Sequence, residues 1–293
     1  MTTNEKQGLQ KRSTLVEAEI LEIVQLIAHG NAHDKLHVRI PLEALRKRSG
    51  DEIGDFLYYD NGTLVGYLFV DNWGKKEKEF TGIVAPEMRR QGIFTRLFEA
   101  AREECKARGV ERMILISEHH SHSGQAFAKA IKARYDFSEH EMVLGNFVAR
   151  GVTDPQFQMH LATPDDRQSL ISILETSVGD EEDASSLVDE AYQDSSQQIY
   201  LATLAGKPLG ALRVYYQDES IGIYGFLVRP EYRRKGYGRQ MLEDIIRRLY
   251  DEGVGVRRIM LEVETTNHKA LNLYRSCGFE ITTTYDYFDY DIR

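Results

Sequence analysis

The stretch "IYGFLVRPEYRRKGYGRQML", residues 223–242, contains the end of a strand, a loop and the start of a helix. Its first six residues are apolar or aromatic around one glycine, Gly225, which marks a β-bulge. Arg233, Arg234 and Lys235 then precede Gly236-Tyr237-Gly238. Met241, Leu242, Ile245, Ile246 and Leu249 follow at helical spacing on one face. A loop that runs straight into a helix leaves backbone N–H groups unpaired at the positive end of the helix dipole. Glycines let that backbone approach an anion closely, and the cations add charge around it. In physical terms the segment is a phosphate cradle. It is not a Walker loop, which needs GxxxxGK[ST], nor a dinucleotide fingerprint, which needs a third glycine. Taken alone, the loop also fits an ordinary surface turn.

The same frame occurs earlier as "MRRQGIFTRLF", Met88 to Phe98. At a constant shift of 144, Pro86-Glu87 matches Pro230-Glu231, Arg89-Arg90 matches Arg233-Arg234, and Gly92 matches Gly236. Glu99 matches Glu243, and Gly109-Val110 matches Gly253-Val254. A repeat of this period means duplicated domains, not a solenoid. The second copy predicts a strand at "QMHLAT", helices at "PDDRQSLISILETS" and "EEDASSLVDEAYQ", and two strands around a Gly-Lys-Pro turn in "QIYLATLAGKPLGALRVYYQD". A buried strand "RIMLEVE", a glycine-capped helix "HKALNLYRSCG" and a terminal hairpin "FEITTTYDYFDYDI" follow. The first copy shows no first strand and begins with the helix "TLVEAEILEIVQLIAHG". The expected class is α/β with a mixed α+β sheet, in two tandem domains, 1–150 and 151–293. Their boundary is expected in "ARGVTDPQF", 149–157.

The 293 residues are enough for two ordinary domains, and 42% apolar content supplies a core. No run approaches a membrane span, and "MTTNEKQGLQKRS" lacks the apolar stretch of a secretory signal. Cys105 and Cys277 have no CxxC partner, which argues against a disulfide or thiolate zinc site and suits a reducing cytoplasm. Residues 1–150 hold 22 basic and 22 acidic side chains, so the net charge of −9 falls entirely on 151–293. That sign argues against a nucleic-acid partner. "EHHSHSG" places His119, His120 and His122 in one loop, but their spacing is awkward for zinc and no metal is expected.

The loop Arg233-Arg234-Lys235-Gly236-Tyr237-Gly238 resembles motif A of the GNAT superfamily, the acyl-CoA-dependent N-acetyltransferases. "NHKALNLYRSCGF", Asn267 to Phe279, resembles its motif B. "LEV" followed by Asn and Leu-Tyr is similar to the branch that acetylates ribosomal-protein N-termini, and the tandem layout is similar to the mycothiol synthases. The resemblance covers 157–293 and extends to 13–148. It implies acetyl-CoA as co-substrate, with Arg233, Arg234, Lys235, Gly236, Tyr237, Gly238 and Arg239 around its pyrophosphate. It also implies Phe226, Leu227 and Val228 along the pantetheine, Asn267 hydrogen-bonded to the cofactor, and Tyr274 beside the sulfur.

Acetyl transfer to an amine requires an amine freed of its proton and a leaving thiolate that gains one. The resemblance makes Tyr274 the acid and Glu262 the base, with Glu219 and Glu264 the next carboxylates in line. The bland alternatives are a core aromatic for Tyr274 and, for Glu262, a pair with an arginine or a place at a solvated sheet end. The acids Glu175, Asp180, Glu181, Glu182, Asp183, Asp189, Glu190 and Asp194 cluster in 175–194 and would steer a cationic acceptor, whether small molecule or peptide, or form a solvated helix face. In the first copy Phe94 replaces the second glycine, and no glutamate or tyrosine matches Glu262 or Tyr274. It is expected to be degenerate, serving structure or CoA binding. A non-catalytic acyl-CoA sensor or partner-binding scaffold is the competing reading of the whole.

Overall fold

A computed structural model describes residues 6–48, 50, 52–71, 74–147, 149–151, 154–217, 219–253 and 257–292. Val254 of the repeat and Val152 and Thr153 of the expected boundary lie outside the described residues. The chain forms two compact units, residues 1–139 with 283–293, and residues 140–282. These limits differ from a cut at residue 150. The final strand, β12 (Phe279–Asp291), gives its residues from Thr283 onward to the first unit, and β6 (Arg134–Leu144) gives those from His140 onward to the second.

In the first unit, β1 (Gly8–Arg12), β2 (Asp55–Asp60), β3 (Thr63–Val70), β4 (Glu77–Val84) and β5 (Arg112–Glu118) are neighbours in that order. The β4–β5 pair is parallel, and β12 adds to β5 antiparallel, with Tyr285 opposite Glu118 and Asp291 opposite Arg112. Helices α1 (Glu17–Asp34), α2 (Leu42–Lys47), α3 (Ile93–Ala107) and α4 (His122–Ala130) complete it. Strand β1 was not expected from the sequence. It is a polar edge strand, GLQKR, paired with β2, and a charged edge carries no apolar alternation to read.

In the second unit the order is β11 (Arg258–Glu264), β10 (Ser220–Val228), β9 (Lys207–Tyr216), β8 (Gln197–Leu204) and β7 (Phe157–Leu161), with β10–β11 parallel. The β8–β9 turn is Ala205-Gly206, both with positive φ, so Lys207 and Pro208 already belong to the strand. Its helices are α5 (Arg167–Val178), α6 (Glu181–Gln193), α7 (Tyr237–Asp251) and α8 (His268–Ser276). Helix α7 buries Met241, Leu242, Ile245, Ile246 and Leu249 completely, as their spacing predicts. They meet Leu212, Val214, Ile221, Ile223, Ile259, Leu261 and Val263 from one face of the sheet. Ala211, Leu201 and Ile199 point to the other face, against α5 and α6. No helix among the described residues is long and apolar enough to cross a membrane.

The expected terminal hairpin is instead one strand. Residues 279–291 contain no glycine, proline or asparagine to turn the chain, and side chains of both parities are buried. Tyr285 and Tyr287 pack in one cluster and Phe288 in another, while Asp286 and Asp289 are also buried. Burial on both faces marks an interior strand.

Candidate active site

Strand β10 pairs with β11 only from Ser220 to Ile223, opposite Arg258 to Leu261. Beyond that point the two strands separate. On its other side β10 carries a bulge: Tyr224 opposes Arg213, Leu227 opposes Ala211, and the register shifts between them. Gly225 makes this possible, since its φ of +56° is a conformation that side chains resist. The gap between the strands is thus bounded by Phe226, Leu227 and Val228 on one side and by Glu262 and Glu264 on the other.

The loop after β10 has the backbone of an anion cradle. Arg234 has φ +61°, and Gly236, the N-cap of α7, has φ +91°. A side chain built at Gly236 would meet nothing within 4 Å, so the space before the helix terminus is open. The Arg233 Nε donates to the carbonyl of Val228 at 2.7 Å and ties the loop to the strand end. Arg234 and Lys235 are exposed, with no ion pair among the described residues. Tyr237 donates its hydroxyl to Asp154 at 3.0 Å. Arg239 is turned away from the loop: it donates to the Ser276 carbonyl at 3.2 Å and to the Ser276 hydroxyl, and lies 3.4 Å from the buried Glu243. Its charge serves the junction of α7 and α8.

Gly238 lies where Phe226, Val228 and Leu273 converge. A Cβ there would be 3.4 Å from Leu273 Cδ2 and 3.8 Å from Phe226 Cε1. The Phe226 ring sits 6.2 Å from that of Tyr274, which is 6% exposed. Among the described residues nothing hydrogen-bonds the Tyr274 hydroxyl, and burial raises its pKa to about 12. Asn267 caps α8, its side-chain oxygen accepting from the Ala270 N–H at 3.2 Å. The side-chain NH₂ of Asn267 remains to donate elsewhere. Glu262 is half-buried on β11, on the face opposite Ile259, Leu261 and Val263.

Much of the acidic segment has structural duties. Asp180 caps α6 by accepting from the Glu182 and Asp183 N–H groups at 2.8 and 3.1 Å. Glu181, Glu182 and Asp183 complement the positive end of that helix. Asp189 holds Arg167 in a fork at 2.8 and 2.7 Å, and the guanidinium lowers the Asp189 pKa. Asp194 accepts from the Ser196 N–H at 2.9 Å and from Gln197 at 2.8 Å.

The first unit repeats this plan with changes. Arg90 and Gly92 have φ +64° and +78°, and Arg89 Nε donates to the Val84 carbonyl at 3.1 Å, as Arg233 does to Val228. Ser121 caps α4 as Asn267 caps α8. Strand β4 pairs with β5 up to Phe80 opposite Leu115 and then separates. It has no bulge, and Thr81 stands where the second copy has Gly225. A β-branched residue does not take positive φ. Ala128 occupies the place of Tyr274. A cavity of about 630 Å³ opens here, between the Arg89–Phe94 loop, the separated strand ends and α4. Sequence reasoning did not anticipate it, because a cavity depends on how side chains from distant segments meet. Nor did it single out Arg213, which lies against Gly225. Close by, the ring of Tyr224 covers Gly222. His119 is held by the buried Asp286 at 3.0 Å. Among the described residues no three His, Cys, Asp or Glu side chains group as metal ligands.

A sequence profile described as the acetyltransferase (GNAT) family matches residues 20–131 and 167–279. The ribosomal protein bS18-alanine N-acetyltransferase of Escherichia coli K12 is 41% identical over 61 residues, which are 21% of this chain and 40% of that protein. An uncharacterized N-acetyltransferase of Bacillus subtilis 168 is 28% identical over 102 residues, 33% of this chain and 67% of its own. Among solved structures, a GCN5-related N-acetyltransferase from Sphaerobacter thermophilus has a TM-score of 0.79 at 20% identity, covering 97% of this chain and 96% of that one. A tandem GNAT protein from the clavulanic acid biosynthesis pathway has a TM-score of 0.75 at 15% identity, covering 97% and 98%. At these identities the two structures share the fold with this chain.

Proposed function

We propose that this chain, which belongs to the acetyltransferase (GNAT) family, is an N-acetyltransferase with acetyl-CoA as its co-substrate, and that its second unit transfers the acetyl group to a primary amine. The observation that carries this reading is the combination found only in the second copy: the Gly225 bulge, the Gly236-x-Gly238 loop, and Tyr274 buried beside Phe226.

The residues present suit acetyl-CoA. The positive-φ loop and the open space before Gly236 fit a pyrophosphate, with Arg233, Arg234, Lys235, Tyr237 and Gly238 around it. Arg239 supports α7 against α8. The bulge turns the backbone of Phe226–Val228 toward the gap, where it suits an amide-bearing chain, and the free NH₂ of Asn267 faces the same task. Acetyl-CoA, when bound, supplies an activated acyl carbon and a thiol leaving group.

Glu262 takes a proton from the acceptor's ammonium and frees the lone pair that forms the N–C bond; the second nitrogen proton leaves as the tetrahedral intermediate collapses and restores the Tyr274 phenol. Tyr274 gives its proton to the sulfur as the C–S bond breaks. A phenol held near 12 keeps that proton throughout the neutral range, so it is present when the C–S bond breaks. The acceptor is cationic at its nitrogen before it reacts. The exposed carboxylates of Glu181 and Glu182 favour its approach by charge, in a chain whose excess charge lies in this half. The bS18-alanine enzyme suggests an α-amine as one form the acceptor can take.

The first unit lacks both Glu262 and Tyr274 equivalents but keeps the loop and a large cavity, so we assign it cofactor binding without turnover. Thiol release from acetyl-CoA across an amine panel, with wild type and Tyr274→Phe, tests the assignment. Release that depends on an amine and is lost in the variant supports it. Amine-dependent release that survives in Tyr274→Phe overturns it.

A further inference from the structure

Arg213 is the unusual charge of the second unit. It lies on β9, opposite Tyr224 and beside Ile199 of β8. Its neighbours in sequence, Leu212 and Val214, face α7, so Arg213 faces α5 and α6 together with Ala211. Its guanidinium rests against the bulge: a Cβ on Gly225 would be 3.2 Å from Nε and 3.8 Å from Nη2. It is half-buried, and burial lowers its pKa, opposed only in part by the charge of Glu190 on α6. Among the described residues it has no hydrogen bond and no ion pair. Other half-buried arginines of this unit are engaged: Arg167 with Asp189, Arg229 with Glu231, Arg247 with Glu243, Arg248 with Asp244.

The fold does not require a cation here. At the same position of the first copy stands Phe69, 5% exposed and packed in the core. A desolvated, unpaired guanidinium opposes folding, and an apolar side chain would remove that cost. A ligand carrying the opposite charge would pair this group and offset that cost.

The place of Arg213 says which ligand. By alternation along their strands, Arg213, Tyr224 and Glu262 all face away from α7 and α8. Tyr224 opposes Arg213 directly, and continuing the parallel register from Ile223 and Leu261 sets it level with Glu262. The three residues form one row across β9, β10 and β11. Paired strands are about 4.8 Å apart and β10 and β11 begin to part after Ile223 and Leu261, so Arg213 and Glu262 spring from backbones roughly 10 Å or more apart, with long side chains between them. The loop and Tyr274 stand on the other face. An amine reaching Glu262 therefore comes in over the face that carries Arg213.

Resting on the reading of the second unit as the acetyl-transfer site, we propose that Arg213 anchors the acceptor through a carboxylate, so that the acceptor class is the amino carboxylates, free amino acids or short peptides. The planar fork of a guanidinium matches a carboxylate with two parallel hydrogen bonds. The acceptor's ammonium end then faces Glu262, and its two ends meet opposite charges.

The test compares glycine, β-alanine and 4-aminobutyrate with their amides in the CoA-loaded full-length protein. Calorimetric binding and acetyl-CoA turnover are both measured in wild type, Arg213→Met and Arg213→Lys. Expected is a carboxylate-over-amide preference in wild type of at least tenfold, erased in Arg213→Met and weakened in Arg213→Lys. Arg213→Met should also melt at a higher temperature than wild type, since it removes a half-buried charge that has no ion pair among the described residues. Carboxylates that bind through Arg213 without being acetylated would uphold the anchor and refute the catalytic reading. Amides acetylated as well as carboxylates would overturn the anchor and leave the catalytic reading standing. Absence of carboxylate binding in wild type, or an unchanged preference in both variants, also overturns it.

Discussion

The ring of Phe94 covers Gly82: a Cβ at residue 82 would lie 2.8 Å from Phe94 Cε2. In the second copy the pair is exchanged, with Phe226 on the strand and Gly238 on the helix. One aromatic ring fills the space between strand and helix in each unit, supplied from opposite sides. Phe94 also meets Phe127 edge-on at 4.6 Å, where the second copy has Leu273 beside Gly238. The loss of the second loop glycine is thus a packing substitution coupled to Gly82 and to the regular, unbulged β4.

Removing that ring should cost stability. Phe94→Gly leaves an unfilled space beside Gly82 and Phe127 and adds helix-start flexibility, a loss of about 2–4 kcal/mol. Gly82→Ala also destabilises, because its methyl meets the Tyr67 carbonyl of the neighbouring strand, by about 1–3 kcal/mol. Urea midpoints of the full chain measure both. Wild-type midpoints for Phe94→Gly would show that the ring is not structural.

Gly236→Glu should abolish cofactor binding in the second unit. The open space before Gly236 accepts the side chain, but its carboxylate then occupies the cradle and repels a pyrophosphate. The positive φ adds strain of about 1 kcal/mol. Calorimetry with acetyl-CoA should lose one class of site while circular dichroism is retained. An unchanged isotherm in a folded variant removes the loop from the binding site.

Tyr274→Phe should lower kcat by roughly 10²–10⁴, the scale of a positioned acid, with cofactor affinity kept. Because burial raises the phenol to about 12, the proton is present at pH 7 to 10, and no alkaline loss of activity from this group should appear below about pH 11. Glu262→Gln should depress the rate most at low pH, where the amine most needs a base. Stopped turnover across pH 6–10 separates the two. A near-normal kcat in Tyr274→Phe with chemistry rate-limiting leaves the ring as packing alone, and an unchanged pH profile in Glu262→Gln moves the base to Glu219 or Glu264.

Asp71, 8% exposed, has its pKa raised from 3.8 to about 7, chiefly by burial and then by Glu79. The folded chain holds this proton where the unfolded chain has lost it, so between pH 4 and 7 the folded state binds more protons. Stability from this group therefore falls as pH rises through that window. Asp71→Asn keeps an acceptor for the Glu79 N–H, bonded at 3.0 Å. Its advantage over wild type should be small at pH 4.5 and reach about 2–4 kcal/mol at pH 8. Urea melts at the two values test this, and equal differences at both would show that the carboxyl is not desolvated as described.

The loop, the bulge and the helix start were legible because each is local. Gly225, Gly236 and Gly238 permit backbone shapes that other residues resist, and Met241, Leu242, Ile245, Ile246 and Leu249 lie on one face by their spacing alone. The duplication was legible because glycines and prolines hold their offsets. Period-two alternation tells which way a side chain points but not which strand lies beside it. That is why β12 read as a hairpin, and why its pairing with β5, far away in sequence, was hidden. Strand β1 was missed because its pairing is carried by backbone groups under polar side chains. Tertiary structure alone decided that Phe94 replaces Phe226 rather than simply spoiling a motif, and that Arg239 turns to Ser276. It alone set Arg213 beside Gly225 with no ion pair among the described residues, since the pairing of a charge depends on which distant groups come within hydrogen-bond reach once the sheet has formed.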